Sequence, residues 1–125
     1  MAVLLVVDDD ARVRHFLVEA VRLLGHTVHQ ANHAGEAMAI LRQSRIDLVL
    51  TDLYMPERDG LELLIALKRD FPGTRVIALT GGLAGEALLK AAQMMGADAT
   101  LSKPVTVTDL QAAVDRVLAL PPPDL

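Results

Sequence analysis

A chain of 125 residues has the length of one domain, and 52% hydrophobic against 22% charged residues excludes a disordered polymer. A net charge of -4 gives no diffuse attraction to a phosphate backbone, so nucleic acid is not expected as a direct partner. No apolar stretch approaches the roughly 20 residues of a membrane span. Residues 2 to 7 are apolar but carry no basic leader and stop at Asp8, which argues against a signal peptide. Zero cysteines leave no disulfide or thiolate metal site, and with these exclusions the expected location is the cytoplasm.

In chain order, apolar runs and helical patterns alternate five times. The strand-like runs are Val3 to Val7, Thr27 to Ala31, Ile46 to Thr51, Arg75 to Thr80 and Ala99 to Ser102. Four are near-continuously apolar, as strands buried on both faces are. The second, Thr27-Val28-His29-Gln30-Ala31, is more polar and suits a sheet edge. The first helix places Val13, Phe16, Leu17, Ala20, Val21 and Leu24 on one stripe, with Arg12, Arg14, Glu19 and Arg22 on the other side and Gly25 as its stop. Helices follow around 34 to 43, 60 to 70 and 84 to 95, the last ended by Gly96, and Met94-Met95 are expected to fill gaps between helix and sheet. The fifth helix buries Leu110, Ala113, Val114, Val117 and Leu118, with Thr108 and Gln111 as its expected capping box. Pro121-Pro122-Pro123 ends that helix, so the domain is expected over 1–120 with a short Pro-rich tail over 121–125. Such alternation demands a parallel sheet with right-handed crossovers, an α/β fold.

The chemistry lies at the strand ends. Val6-Val7 runs into Asp8 and Asp9, Leu50-Thr51 into Asp52, Leu79 into Thr80-Gly81, and Leu101-Ser102 into Lys103-Pro104. Parallel strands bring their C-terminal ends to one edge, where open α/β sheets bind ligands. Three carboxylates, a hydroxyl and a lysine at that edge suit a divalent cation and a phosphoryl group. Taken singly, Asp8 and Asp9 read equally well as turn and cap residues, Thr80 as an ordinary strand-end hydroxyl and Lys103 as a solvated lysine. Their joint, ordered occurrence carries the functional reading. His26, His29 and His33 straddle a turn, an edge strand and a helix start, so no metal site is expected there, and His15 is expected to be exposed.

These segments, with Met55-Pro56 and Asp59-Gly60 after Asp52, resemble the receiver domain of two-component response regulators over essentially the whole chain. The resemblance implies a flavodoxin-like (βα)5 fold: a doubly wound five-stranded parallel sheet of order 2-1-3-4-5 in three α/β/α layers. Helices 1 and 5 cover one face and helices 2, 3 and 4 the other. It implies that Asp52 is the phosphoacceptor, Asp9 a direct Mg2+ ligand, Asp8 a ligand through water, and the Tyr54 backbone carbonyl the remaining protein ligand. Thr80 would bind the phosphoryl group and Lys103 would pair with it. A histidine kinase or phosphotransfer protein would be the donor and an unidentified downstream protein the target. The chain would act as a stand-alone module, a monomer or weak dimer, and not as an enzyme beyond its own phosphoryl uptake and slow loss.

Three positions depart from the family's pattern. Thr100 stands where an aromatic residue usually precedes the lysine, Val105 where Phe usually follows Lys-Pro, and Arg58 where Met usually precedes Asp-Gly. The first puts the aromatic version of the family's switch in doubt. The alternative function is a phosphorylation-independent pseudoreceiver used for docking. A phosphatase forming an aspartyl-phosphate would carry Asp two residues after Asp52, where Tyr54 stands, and neither Gly-rich nucleotide motif is present.

Overall fold

The computed structural model describes residues 1–54, 60–81 and 85–121. The expected features at Met55-Pro56, Arg58, Asp59 and Pro122-Pro123 lie outside them. The elements run β1 (Val3–Val7), α1 (Ala11–Leu23), β2 (Thr27–Ala31), α2 (Ala34–Gln43), β3 (Leu48–Asp52), α3 (Gly60–Asp70), β4 (Arg75–Thr80), α4 (Gly85–Met94), β5 (Ala99–Ser102) and α5 (Val107–Leu118). All neighbouring strands pair in parallel, in the order β2-β1-β3-β4-β5, which is the order the resemblance implied. The third strand begins two residues later than its apolar run and includes Asp52.

Strict alternation along the central strands divides the core in two. Leu4, Val6, Leu48, Leu50, Ile77 and Leu79 face α1 and α5, while Leu5, Val7, Val49, Val76 and Ala78 face α2, α3 and α4. The edge strand β2 is the most polar, with Thr27 and Gln30 exposed. Gly25 and Gly96 adopt φ +92° and +101° just beyond α1 and α4, the left-handed geometry that lets a helix end without a Cβ clash.

Two aspartates serve the edge remote from the strand C-termini. Asp47 accepts from the Val3 amide at 2.8 Å, and Asp98 accepts from the Val76 amide at 2.9 Å while lying 3.5 Å from Arg75 and 3.6 Å from Lys68. Each satisfies an amide at a strand start, where a buried donor needs a partner.

Several local expectations are corrected. The N-cap of α5 is Thr106, whose hydroxyl accepts from the Asp109 amide; Thr108 lies inside the helix, so it cannot form a capping box with Gln111. Met94 is 89% exposed, and only Met95 packs against the core. Phe16 is 41% exposed because it walls a surface groove instead of entering the sheet interface. Arg14 is half-buried and folds back to the start of its own helix.

Candidate functional site

Asp8 and Asp52 continue the alternation that sends Leu4 and Val6, and Leu48 and Leu50, towards α1 and α5; Lys103 does the same beyond Ala99 and Leu101. All three are therefore delivered to one side of the sheet edge, beside the point where the chain crosses from β2 past β1 to β3. Thr80 has the opposite parity, that of Val76 and Ala78, and lies one residue beyond Leu79, the register partner of Asp52.

The Lys103 ammonium donates to Asp8 Oδ2 at 2.8 Å and to Asp52 Oδ2 at 2.9 Å. Asp8 is completely buried and fully engaged: its Oδ1 accepts from the Asp10 amide at 2.9 Å and its backbone carbonyl from Arg14 Nη1 at 2.7 Å. Asp52 Oδ1 accepts from the Tyr54 amide at 3.1 Å. Asp9 is exposed beside them, and carboxylate oxygens of Asp8, Asp9 and Asp52 all lie within 4.8 Å of one another. The N-cap of α1 is Asp10, which accepts from the Arg12 and Val13 amides and so leaves Asp9 free for other work.

The electrostatics follow from this packing. Burial pushes the Asp8 carboxyl above its ordinary value, against the opposing pull of Lys103 and the Asp10 amide. Burial would by itself lower the Lys103 ammonium, but hydrogen bonds to Asp8 and Asp52 outweigh it and the net direction is up. The two directions are compatible: the cation lies between two carboxylates, whereas Asp8 is buried beside a single cation.

Backbone contacts hold the exit of β3. The Leu53 amide donates to the Leu79 carbonyl and the Gly60 amide to the Leu53 carbonyl, each at 2.9 Å. The buried Thr51 hydroxyl donates to the Asp52 carbonyl at 3.0 Å. A Cβ on Gly60 would lie 2.4 Å from Leu53 Cα and 2.5 Å from the Asp52 carbonyl oxygen, so only glycine admits this approach. Thr51 and Arg14 were not singled out by the sequence. Thr51 continues an apolar run, and Arg14 falls on the polar face of its helix.

Of the expected residues, the fold gathers Asp8, Asp9, Asp52 and Lys103. Tyr54 is 71% exposed next to them. Thr80 is buried at the adjacent strand end, with its hydroxyl 3.5 Å from the Gly81 carbonyl and no hydrogen bond to Asp52 among the described residues. The donor set is all oxygen, two carboxylates buried and one exposed, and it already holds one cationic group. That fits a hard divalent cation that keeps part of its water. Among the described residues these three aspartates form the one group with metal-holding geometry. His26 and His33 instead use Nδ1 to accept the Ala2 amide at 3.0 Å and the Glu36 amide at 3.1 Å. No helix among the described residues is long and apolar enough to cross a membrane.

Beside the acidic cluster a groove of about 530 Å³ runs between α1 and the segment after β5, lined by Val13, Phe16, Leu17, Lys103, Pro104 and Val105.

Comparison with known proteins accounts for this arrangement. A sequence model of the response regulator receiver domain matches residues 4–115. A response regulator receiver protein of Anaeromyxobacter is 40% identical over 103 residues, covering 82% of this chain and 43% of that protein. The DNA-binding transcriptional regulator NtrC of Azospirillum brasilense is 33% identical over 117 residues, covering 94% of this chain and 24% of the regulator. The chain thus spans less than half the length of either relative. The crystal structure of a response regulator receiver domain protein from Clostridium thermocellum superposes with a TM-score of 0.88 at 31% identity, covering 94% of each chain. With the family match over most of its length and the five-stranded 2-1-3-4-5 sheet of its structural neighbours, this chain belongs to the response regulator receiver domains of two-component signalling.

Proposed function

We propose that Asp52 accepts a phosphoryl group from the phosphohistidine of a histidine kinase or phosphotransfer protein, in the cytoplasm, and that the product changes the surface offered to a downstream protein. The observation that carries this reading is the Lys103 ammonium bridging Asp8 and Asp52 beside the exposed Asp9. An Asp52 carboxylate oxygen attacks phosphorus; the P–N bond breaks as the P–O bond forms, and the imidazole leaves with the electron pair. Asp9, Asp52 and the Tyr54 carbonyl would hold Mg2+, with Asp8 acting through water. The ion would supply charge neutralisation for the transferring group. Lys103, a compact cation on a flexible stem, can move from Asp52 to a phosphoryl oxygen. Thr80 would offer its hydroxyl to another, a small reorientation from the weak contact it now makes with Gly81.

The reading is tested by incubation with a small-molecule phosphodonor. The expected result is one base-labile phosphoryl group per chain, dependent on Mg2+ and absent from Asp52→Asn. Equal uptake by Asp52→Asn would refute it, and uptake by neither protein would favour a docking module that works without phosphorylation.

Switching has a second expected signature. Thr100 is half-buried and its hydroxyl accepts from Gln93 Nε2 at 3.2 Å, so no ring at this position can follow Thr80 inward. A population shift needs contacts that differ between states, and here these are the Thr80 and Lys103 bonds to phosphate. Backbone amide shifts on beryllofluoride binding should concentrate at Thr80, Gly81 and Gly85 and fade at Thr100, and Thr100→Tyr should extend them. Largest changes already lying along β5 in the wild type, and surviving Thr80→Ala, would contradict this route.

A further inference from the structure

We infer that Arg14 is a positioning residue for the metal-binding loop, acting through the fork of its guanidinium and not through its charge. The inference rests on the proposed Mg2+ site. Arg14 Nη1 donates to the Asp8 carbonyl at 2.7 Å, while its Nε donates to Gln30 Oε1 at 3.2 Å. Gln30 lies on β2 in register with Val6, two residues before Asp8. One rigid planar group therefore ties the residue that opens the acidic loop to the neighbouring strand, from a helix that the same loop precedes.

The loop needs such a brace. The Asp8 side chain is held by Lys103 and by the Asp10 amide, and the Asp8 amide donates to the Ala31 carbonyl at 3.2 Å. Asp9, which lies between them, is exposed. Its carboxylate has an oxygen within 4.8 Å of those of Asp8 and Asp52, a placement set by the backbone that carries it. Asp10 fixes the far side as the helix cap, and Arg14 fixes the near side at the Asp8 carbonyl. Lysine has the charge but a single rotatable ammonium, so it cannot make both bonds in a fixed plane.

Position and charge predict opposite signs, which makes the inference testable. Removing a positive charge from beside an acidic cluster should by itself tighten a divalent cation. Removing an outer partner that orients ligands typically weakens metal binding by about 10–100-fold. Mg2+ affinity can be read from the fluorescence of Tyr54, the single tyrosine of a chain without tryptophan and only two residues beyond Asp52. Arg14→Met and Arg14→Lys should both weaken Mg2+ about tenfold. In the metal-free proteins, hydrogen exchange at the Asp10 amide should quicken in both while core amides of β3 and β4 stay unchanged. Wild-type affinity in Arg14→Lys, tighter binding in Arg14→Met, or unaltered exchange at Asp10 would each overturn the inference. A wild-type protein that shows no Mg2+ response would instead sink the metal reading on which it rests, before any variant is made.

Discussion

Replacing Lys103 by Met should lower the stability of the metal-free protein by about 2–4 kcal/mol, and Mg2+ should restore most of the loss. Removing one partner of a buried ion pair commonly costs about 3–5 kcal/mol, because the other charge is left uncompensated. The lower figure applies here, since the Lys103 side chain keeps 22% of its exposure while Asp8 keeps none. Mg2+ would supply the missing positive charge, so the cation should stabilise Lys103→Met more than the wild type. The pH dependence has a fixed sign. The raised Lys103 value means its contribution is complete below the ordinary lysine value of 10.5 and is lost as pH rises through the folded-state value. The raised Asp8 value means that its ionisation opposes folding, so the deficit of Lys103→Met should shrink as the solution is acidified and Asp8 takes a proton. Urea titrations with and without Mg2+ measure both effects. Equal midpoints for the two proteins in both conditions would show that the lysine does not compensate the aspartates.

Gly60→Ala should be the most damaging conservative change near the site. The three atoms nearest its new Cβ would all be backbone: Leu53 Cα at 2.4 Å, the Asp52 carbonyl oxygen at 2.5 Å and the Leu53 carbonyl carbon at 2.7 Å. No side chain can rotate away, so either α3 moves or the exit of β3 does. Overpacking costs about 1–3 kcal/mol, and a clash against rigid backbone belongs at the upper end. Displacing the Asp52 carbonyl also disturbs its bond from Thr51 and the turn that presents Tyr54. Phosphoryl uptake should therefore fall further than stability alone explains. Gly73→Ala is the control, because nothing lies within 4 Å of its Cβ position. Similar melting temperatures and uptake rates for the two variants would contradict this account.

The fold was legible because β1, β3 and β4 are apolar on both faces and run into polar residues. That pattern predicts both the parallel sheet and the edge where Asp8, Asp52 and Lys103 meet. The last strand, β5, also expected to be buried on both faces, is the second edge strand, with Thr100 half-buried and Ser102 exposed. The family resemblance added the strand order and the division of helices between faces. What the sequence concealed depends on distance in three dimensions. Arg14 looks like any solvated helix residue until the helix start curls it onto the Asp8 carbonyl. Phe16 has the spacing of a core residue but lines the surface groove beside α1 and stays 41% exposed. Thr108 has the residue type of a cap, but the helix already starts at Val107, so the capping hydroxyl is that of Thr106. Asp47 and Asp98 are aspartates of the same kind as those at the site, yet they lie at the opposite edge and close strand amides.

The central claim is that the phosphoryl group resides on one side chain, and reductive trapping tests it directly. Borohydride converts an aspartyl phosphate to homoserine, so protein treated with phosphodonor and Mg2+ and then reduced can be digested and its peptides sequenced by mass spectrometry. The account predicts homoserine at position 52 and at no other aspartate, and none when Mg2+ is withheld. Homoserine at position 8 or 9, or equal conversion without Mg2+, would contradict it.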